Sequence, residues 1–268
     1  MKQWDETKSE RKARKARAKA GLPVIPASNP KIETASNPKK YIVCLKWGNK
    51  YSAEYVNKLY NMVKRNCTLD YEFVCFTENA ANIDKHIRIE PLPVLPVKGW
   101  WYKPYFLSGE LPFTGTLLFL DLDVVIFRNI DNLFTYNPGK FCIIRDFNRS
   151  MRNSWDKVNS SIFRTEIGNY NIQWNDFKNN TRSHLIKNRG DQDWMYRNIK
   201  DHVFWPDDWI QSYKWEMRDR NSLKLINGKR NFVDNHSPVI KTDTSIAVFH
   251  GDPNPAECTD TWVQQNWR

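Results

Sequence analysis

Apolar and polar residues alternate along the body of the chain in short strand-like runs and in helical periods. Apolar runs at 41–45, 71–77 and 86–92 predict strands, and the apolar residues of 53–66 recur at helical spacing. A strand, a helix and a strand of these lengths predict a parallel βαβ unit. The same patterns predict a helix at 102–108 and strands at 140–146 and 246–249. No glycine-rich phosphate loop follows the first strand, which excludes a dinucleotide-binding or ATP-binding loop of the usual kind.

The most informative stretch is LLFLDLDVVIF, residues 117–127, in which two aspartates interrupt an apolar run. Such a run between turn signals predicts one strand that is buried on both faces. Buried carboxylates need a cation or hydrogen bonds, and side chains at i and i+2 of an extended chain point to the same side. We therefore expect Asp121 and Asp123 to bind one Mg²⁺ or Mn²⁺ ion beyond the end of this strand.

Two kinds of chemistry fit this motif. In a nucleotide-sugar glycosyltransferase, the aspartates hold a metal ion that neutralises the diphosphate leaving group. In a haloacid-dehalogenase-type phosphatase, Asp121 is the nucleophile. The simplest alternative is a pair of solvated aspartates at a strand end. Two strands and two helices precede the motif, whereas the phosphatase strand usually comes first in its fold, so the order favours the transferase.

Charge divides the sequence into a basic tail, residues 1–40, and a body, residues 41–268. The formal net charge is +11, and residues 1–40 hold 11 Lys and Arg against four acids. The body is therefore only mildly basic, which does not indicate a nucleic-acid-binding enzyme. Residues 7–20 predict a helix without an apolar face, followed by a proline-rich linker. We expect the tail either to be solvated or to contact an acidic surface such as nucleic acid or anionic lipid.

The sequence also suggests a compartment. No run of 18 uncharged apolar residues is present, and the N-terminus has no apolar leader segment. The five cysteines show no metal-binding spacing. We therefore expect a cytoplasmic protein without a transmembrane segment, whose cysteines are buried free thiols.

The order of several motifs resembles that of GT-A fold glycosyltransferases, in particular glycosyltransferase family 8 and related bacterial and viral nucleotide-sugar transferases. The segment 101–134 resembles the donor site, and VNSSIFRTE resembles a family strand with Asn159 at the matching position. GDQDWMYRNI carries the Asp-Gln-Asp helix start, and IAVFHGDPNP resembles the C-terminal element with His250 at the metal-ligand position. The family's lysine is missing from that last element.

This resemblance implies an α/β, GT-A (Rossmann-like) single domain with a central mixed, mainly parallel sheet, preceded by the basic extension. It implies a hexosyltransferase that moves a sugar from a nucleoside diphosphate sugar, UDP-sugar being the first candidate, to an unidentified glycan, lipid or protein acceptor. It also implies retention of configuration. A glycosyltransferase-like domain that binds carbohydrate without catalysis stays an open alternative.

The resemblance and the residue chemistry together assign roles at the expected site. Mn²⁺, or Mg²⁺, would be held by two aspartates and a neutral imidazole from another strand end, namely Asp121, Asp123 and His250. Asp191 and Gln192 would contact the donor sugar. The other donor-binding candidates are Lys103 for the diphosphate, Trp47 or Tyr51 for the base, and Asn159 and Gly251. Acceptor stacking and ordinary packing are both open for Trp205, Trp209 and Trp215.

Overall fold

A seven-stranded mixed sheet forms the centre of the body. The computed structural model describes residues 38–226, 228–233 and 237–268. The predicted tail helix and all but the last three residues of the linker lie outside this range. The strands are β1 (Lys40–Lys46), β2 (Glu72–Thr77), β3 (Arg88–Glu90), β4 (Thr116–Leu120), β5 (Val124–Ile126), β6 (Cys142–Arg145), β7 (Val158–Glu166), β8 (Val203–Phe204), β9 (Ile210–Ser212), β10 (Leu223–Ile226), β11 (Lys229–Phe232) and β12 (Ile246–Val248).

The helices cover the faces of this sheet. They are α1 (Ala53–Asn66), α2 (Asn132–Thr135), α3 (Asn171–Asn179), α4 (Thr181–Lys187), α5 (Asp191–Asn198) and α6 (Thr261–Asn266). Single turns of 3₁₀ helix and one π-helical turn, Tyr213–Met217, connect other elements. Among the described residues, no helix combines the length and apolar character that crossing a bilayer requires.

The strand order of the large sheet is β3-β2-β1-β4-β7-β6-β8. Strands β3, β2, β1 and β4 are parallel, β7 is antiparallel to both of its neighbours, and β6 pairs with β8 in parallel. The expected mixed, mainly parallel sheet is therefore confirmed. Strands β5, β12 and β9 form a second, three-stranded sheet, and β10 and β11 form a hairpin.

The sheet lies between two hydrophobic clusters, as expected for an α/β fold with both faces covered. One cluster joins the large sheet to α1 and to the three-stranded sheet. The other joins the opposite face to residues 99–107, α3 and α5. The five cysteines are buried and free, which confirms the expectation.

Helix α1 shows why the periodic pattern was informative. Its apolar stripe, including Val56, Leu59, Met62 and Val63, is buried against the sheet, whereas the intervening positions are polar. Ser52 precedes the helix in extended conformation, and basic residues lie in its last turn, where they interact favourably with the helix dipole. The helix begins and ends at the predicted residues 53 and 66.

The prediction of one strand across 117–127 is wrong. The chain leaves the large sheet after Leu120 and enters the three-stranded sheet at Val124, so that the two aspartates lie in the break between them. Both halves are buried, and burial alone cannot reveal that they belong to different sheets. The predicted helix at 102–108 is a 3₁₀ helix, Gly99–Leu107, which contains Pro104.

Gly115→Ala is expected to destabilise the body by about 3 kcal/mol, because the backbone conformation and the close packing at this residue leave no room for a Cβ atom. Gly115 has φ +134°, and a Cβ there would lie 2.2 Å from the carbonyl oxygen of Lys39. The control is Gly139→Ala, where φ is +78° but no atom lies within 4 Å, so that only the backbone cost of about 1 kcal/mol applies. Urea denaturation measures both variants, and equal losses would contradict the steric explanation.

Candidate active site at the break between the sheets

Asp121 is joined to a buried lysine. Its backbone N–H donates to the Ser161 carbonyl oxygen of β7 at 2.8 Å, which holds the residue at the end of β4. Lys103 Nζ lies 2.8 Å from Asp121 Oδ1 and 2.9 Å from Oδ2. The same ammonium donates to the Ser160 carbonyl oxygen at 3.0 Å and lies 3.7 Å from Asp191 Oδ2. Lys103 is therefore an internal counter-ion and not a solvated surface lysine.

The charge on Lys103 is stabilised by these carboxylates. Burial by itself lowers the pKa of Lys103, but Asp121 and Asp191 outweigh burial and raise the pKa above its ordinary value. Asp191 starts α5 and is buried, which raises the pKa of its carboxyl, although Lys103 opposes this shift. Within the described chain, Asp191 Oδ2 accepts no hydrogen bond. An acceptor for a further donor is therefore available beside Lys103.

Asp123, on the other side of the break, is buried and accepts a hydrogen bond from the Tyr51 hydroxyl at 3.0 Å. Burial and the neighbouring charge of Asp121 raise the pKa of Asp123 to about 6. The two carboxylates thus interact with one another, as their i, i+2 spacing predicts. An arrangement of two repelling carboxylates, one of them desolvated, favours a cation.

The strand register brings His250 to the same place. Strand β12 runs antiparallel to β5, and the Phe249 N–H donates to the Asp123 carbonyl oxygen at 2.8 Å. The His250 ring stacks on Phe147, with centroids 5.4 Å apart, and meets the Trp215 ring at 4.6 Å. His250 Nε2 lies 2.6 Å from Ser212 Oγ.

The imidazole of His250 is neutral at physiological pH. Burial and the positive charges of Lys214 and Arg220 lower the pKa of His250 to about 3. A neutral imidazole has a lone pair for a metal ion. His250 therefore has the protonation state that the prediction requires.

The remaining predicted donor-site residues lie at the same edge of the large sheet. Gln192 accepts from the Ser160 N–H at 3.4 Å and donates to Asp146 Oδ2 at 3.2 Å. The Asn159 side chain accepts from the Ser161 N–H at 3.0 Å and is buried. These side chains thus support the start of β7 next to Asp121.

Two further candidates for donor binding, Trp47 and Gly251, follow the ends of strands. Trp47 directly follows β1, and its ring meets the edge of Trp100 with centroids 6.5 Å apart. Gly251 follows His250 and has φ +78°, a region that glycine enters without strain. Both lie at strand ends, where open α/β sheets bind ligands.

Sequence reasoning missed four residues that shape the site: Asp146, Ser212, Lys214 and Glu216. They belong to no motif, and their contacts join segments more than thirty residues apart, for example Lys214 with His250. The three tryptophans considered for acceptor stacking differ in their surroundings. Trp205 is buried and unsuited to stacking on an acceptor. Trp209 packs on Tyr136, and Trp215 lies beside His250. Only the local aromatic content was visible in the sequence.

In the described part of the chain, no three His, Cys, Asp or Glu side chains are arranged so that they could hold a metal ion. The set Asp121, Asp123 and His250 stays a prediction. The donor types nevertheless fit a hard divalent ion, because the charge of Asp121 and burial raise the pKa of the Asp123 carboxyl, and His250 supplies a neutral imidazole.

Comparisons with known proteins give the fold. No family model and no curated protein sequence matches the chain. The galactosyltransferase LgtC, solved with donor and acceptor sugar analogs, matches 84% of this chain and 93% of its own, with 12% identity and a TM-score of 0.57. The body shares the fold of LgtC. An active-site mutant of LgtC matches over the same shares with a TM-score of 0.55 and 12% identity.

A third match is the glycosyltransferase GlyE of Streptococcus pneumoniae TIGR4, which covers 64% of this chain and 47% of GlyE at 10% identity, with a TM-score of 0.48. The likeness to LgtC, at 12% identity, concerns the fold. The predicted GT-A architecture is thereby confirmed.

Proposed function

We propose that this protein is a metal-dependent glycosyltransferase that takes its sugar from a nucleoside diphosphate sugar, UDP-sugar being the first candidate. The observation that supports the proposal is that Asp121 and Asp123 lie in the break after β4, and that Phe249, which precedes His250, hydrogen-bonds to the Asp123 carbonyl oxygen. This constellation lies in a fold shared with a galactosyltransferase that was solved with donor and acceptor sugar analogs. The order of elements disfavours the phosphatase alternative, since β1, β2 and β3 precede the strand that leads to Asp121.

We propose Asp121, Asp123 and His250 as the ligands of Mn²⁺ or Mg²⁺. A bound divalent ion supplies positive charge that stabilises the departing diphosphate. Lys103 pairs with Asp121 from the buried side and is itself held by the Ser160 carbonyl oxygen. This arrangement explains why a lysine is buried at the end of the central strand.

The donor would lie along the same sheet edge. We propose that Trp47 or Tyr51 binds the base, and that Asn159 and Gly251 line the path of the diphosphate. Asp191, whose Oδ2 accepts no hydrogen bond within the described chain, would accept one from a donor-sugar hydroxyl. Gln192 would contact the same sugar. Retention of configuration is proposed from the resemblance alone.

The test is calorimetric titration of the full chain with UDP, with and without Mn²⁺. We expect binding that depends on Mn²⁺, followed by slow release of sugar from the matching UDP-sugar. If UDP and the other nucleoside diphosphates all fail to bind in the presence of metal, the transferase proposal is wrong, and Mg²⁺-dependent phosphatase activity is then measured. Binding without turnover on any sugar donor would instead indicate a carbohydrate-binding domain.

A further inference from the structure

Lys214 is a buried cation for which the body supplies little compensation. Its side chain is 7% exposed, and its ammonium donates to the His250 carbonyl oxygen. Among the described residues, no carboxylate forms an ion pair with it. Lys103 and Arg149, which are buried to a similar degree, both have carboxylate partners. A buried ammonium carries three N–H donors and is costly to desolvate, so a further anionic partner is expected.

The position of this ammonium is set by the π-helical turn Tyr213–Met217, which directly follows β9. Tyr213 points into the core and stacks on Phe249, with centroids 4.1 Å apart. Trp215 packs against the His250 ring. Lys214 lies between these anchors, and the wide turn directs it toward the loop after His250. Such turns frequently occur at functional sites.

Gly251 leaves the ammonium open to a ligand. Its backbone has φ +78°, and a Cβ at this residue would lie 3.4 Å from Lys214 Nζ. Because glycine has no side chain, the space above the ammonium is free of protein atoms at this point. A ligand oxygen could take the place that a side chain would fill.

The chemistry of the surroundings selects the anion. Lys214 interacts electrostatically with Asp252 first, then with Arg230 and Asp123, and Arg220 acts on the adjacent His250. The surroundings of the ammonium therefore combine one of the proposed metal ligands, Asp123, with a second carboxylate and two guanidinium groups. A ligand that contacts both the metal site and this ammonium must carry more than one negative charge along a short chain, as a diphosphate does.

We propose that Lys214 binds a phosphate oxygen of the donor's diphosphate. This inference rests on the proposed function and adds a residue to it. The loop lysine that the family resemblance implies is missing after His250, and the π-helical turn supplies a lysine from a different part of the chain. Lys214 thus contributes to the phosphate part of donor affinity and not to the nucleoside part.

The experiment compares UDP with uridine in the presence of Mn²⁺, using the full chain and its Lys214→Met variant. Methionine replaces the aliphatic stem of the lysine and removes the ammonium group with its charge. We expect UDP affinity to fall about 10- to 100-fold while uridine affinity stays unchanged. The matched control is Lys224→Met, at an exposed lysine of β10, which should bind UDP like the wild type.

Thermal melting separates this role from a structural one. If Lys214 only braced the His250 carbonyl group, Lys214→Met would lower the Tm of the free protein. If it serves the ligand, the free Tm is unchanged or higher, because a desolvated charge has been removed, and only the UDP-induced rise in Tm shrinks. Equal UDP affinity in the variant and the wild type overturns the inference. Absence of UDP binding to the wild type would instead overturn the proposed function.

A second measurement needs no variant. Wild-type protein is acetylated with and without ligand, and Lys214 is quantified by mass spectrometry. We expect UDP with Mn²⁺ to protect Lys214, and uridine with Mn²⁺ to leave it reactive. Equal reactivity with both ligands, or a Lys214 that never reacts, contradicts the inference, because an ammonium closed to a small reagent is also closed to a diphosphate.

Discussion

Asp123→Asn is expected to abolish Mn²⁺-dependent UDP binding and to reduce sugar transfer by at least about 100-fold. The amide keeps the shape of the side chain and can still accept from Tyr51, but it lacks the negative charge that a divalent ion requires. Calorimetry and a donor-consumption assay measure the two effects. The control is Asp208→Asn, at an exposed residue paired with exposed Lys241. Full metal-dependent binding in the Asp123 variant would remove Asp123 from the metal site.

The same substitution should raise the Tm of the ligand-free protein at pH 7. Burial and Asp121 raise the pKa of Asp123 to about 6, from 3.8 in the unfolded chain. The folded state therefore binds this proton more tightly, so the free energy of unfolding decreases as the pH rises between these two values. Asparagine does not titrate, and the Tm difference between variant and wild type should grow from pH 4 to pH 7. A variant that is less stable at pH 7 would contradict this account.

Lys103→Met is expected to be the most destabilising of the proposed substitutions, with a loss of about 3 to 5 kcal/mol. It leaves the buried Asp191 and the half-buried Asp121 without their shared cation. For a body of this size the loss corresponds to a decrease in Tm of about 10 °C. Scanning calorimetry at pH 7 measures it.

Two comparisons make this result specific. Lys178→Met removes an exposed ion pair with Glu110 and should cost less than about 1 kcal/mol. The deficit of the Lys103 variant should also shrink at pH 5, because burial raises the pKa of the Asp191 carboxyl, which can then take up a proton. A deficit equal to that of the Lys178 control would show that Lys103 is not the counter-ion of the cluster.

Local patterns predicted those parts of the fold that depend on local interactions. The amphipathic stripe of α1 gave this helix with its observed bounds. The prediction for 117–127 was wrong, because an apolar run indicates that a strand is buried but does not indicate with which strands it pairs. Only the pairing of β4 with β7, and of β5 with β12, reveals the break.

The candidate site divides in the same way. Asp121, Asp123 and His250 stand at strand ends in the sequence, and in the structure the pairing of β5 with β12 joins Asp123 to Phe249, the neighbour of His250. The burial of Lys103 could not be read from its neighbours, since its partners lie 18 and 57 residues away. Lys214 gave no signal at all, because its significance depends on Gly251, which is distant in the chain and adjacent in space.

The break between β4 and β5 gives Asp121 and Asp123 different mechanical supports. Asp121 hydrogen-bonds to β7 of the large sheet, whereas Asp123 hydrogen-bonds to Phe249 after β12 of the small sheet. A cation that bridged the two carboxylates would clamp both sheets together. Local opening of the small sheet would then require release of the cation. The amide protons of this sheet would exchange with solvent no faster than the cation dissociates or the whole body unfolds. Ligand binding would thereby make the small sheet unfold together with the large one instead of opening separately.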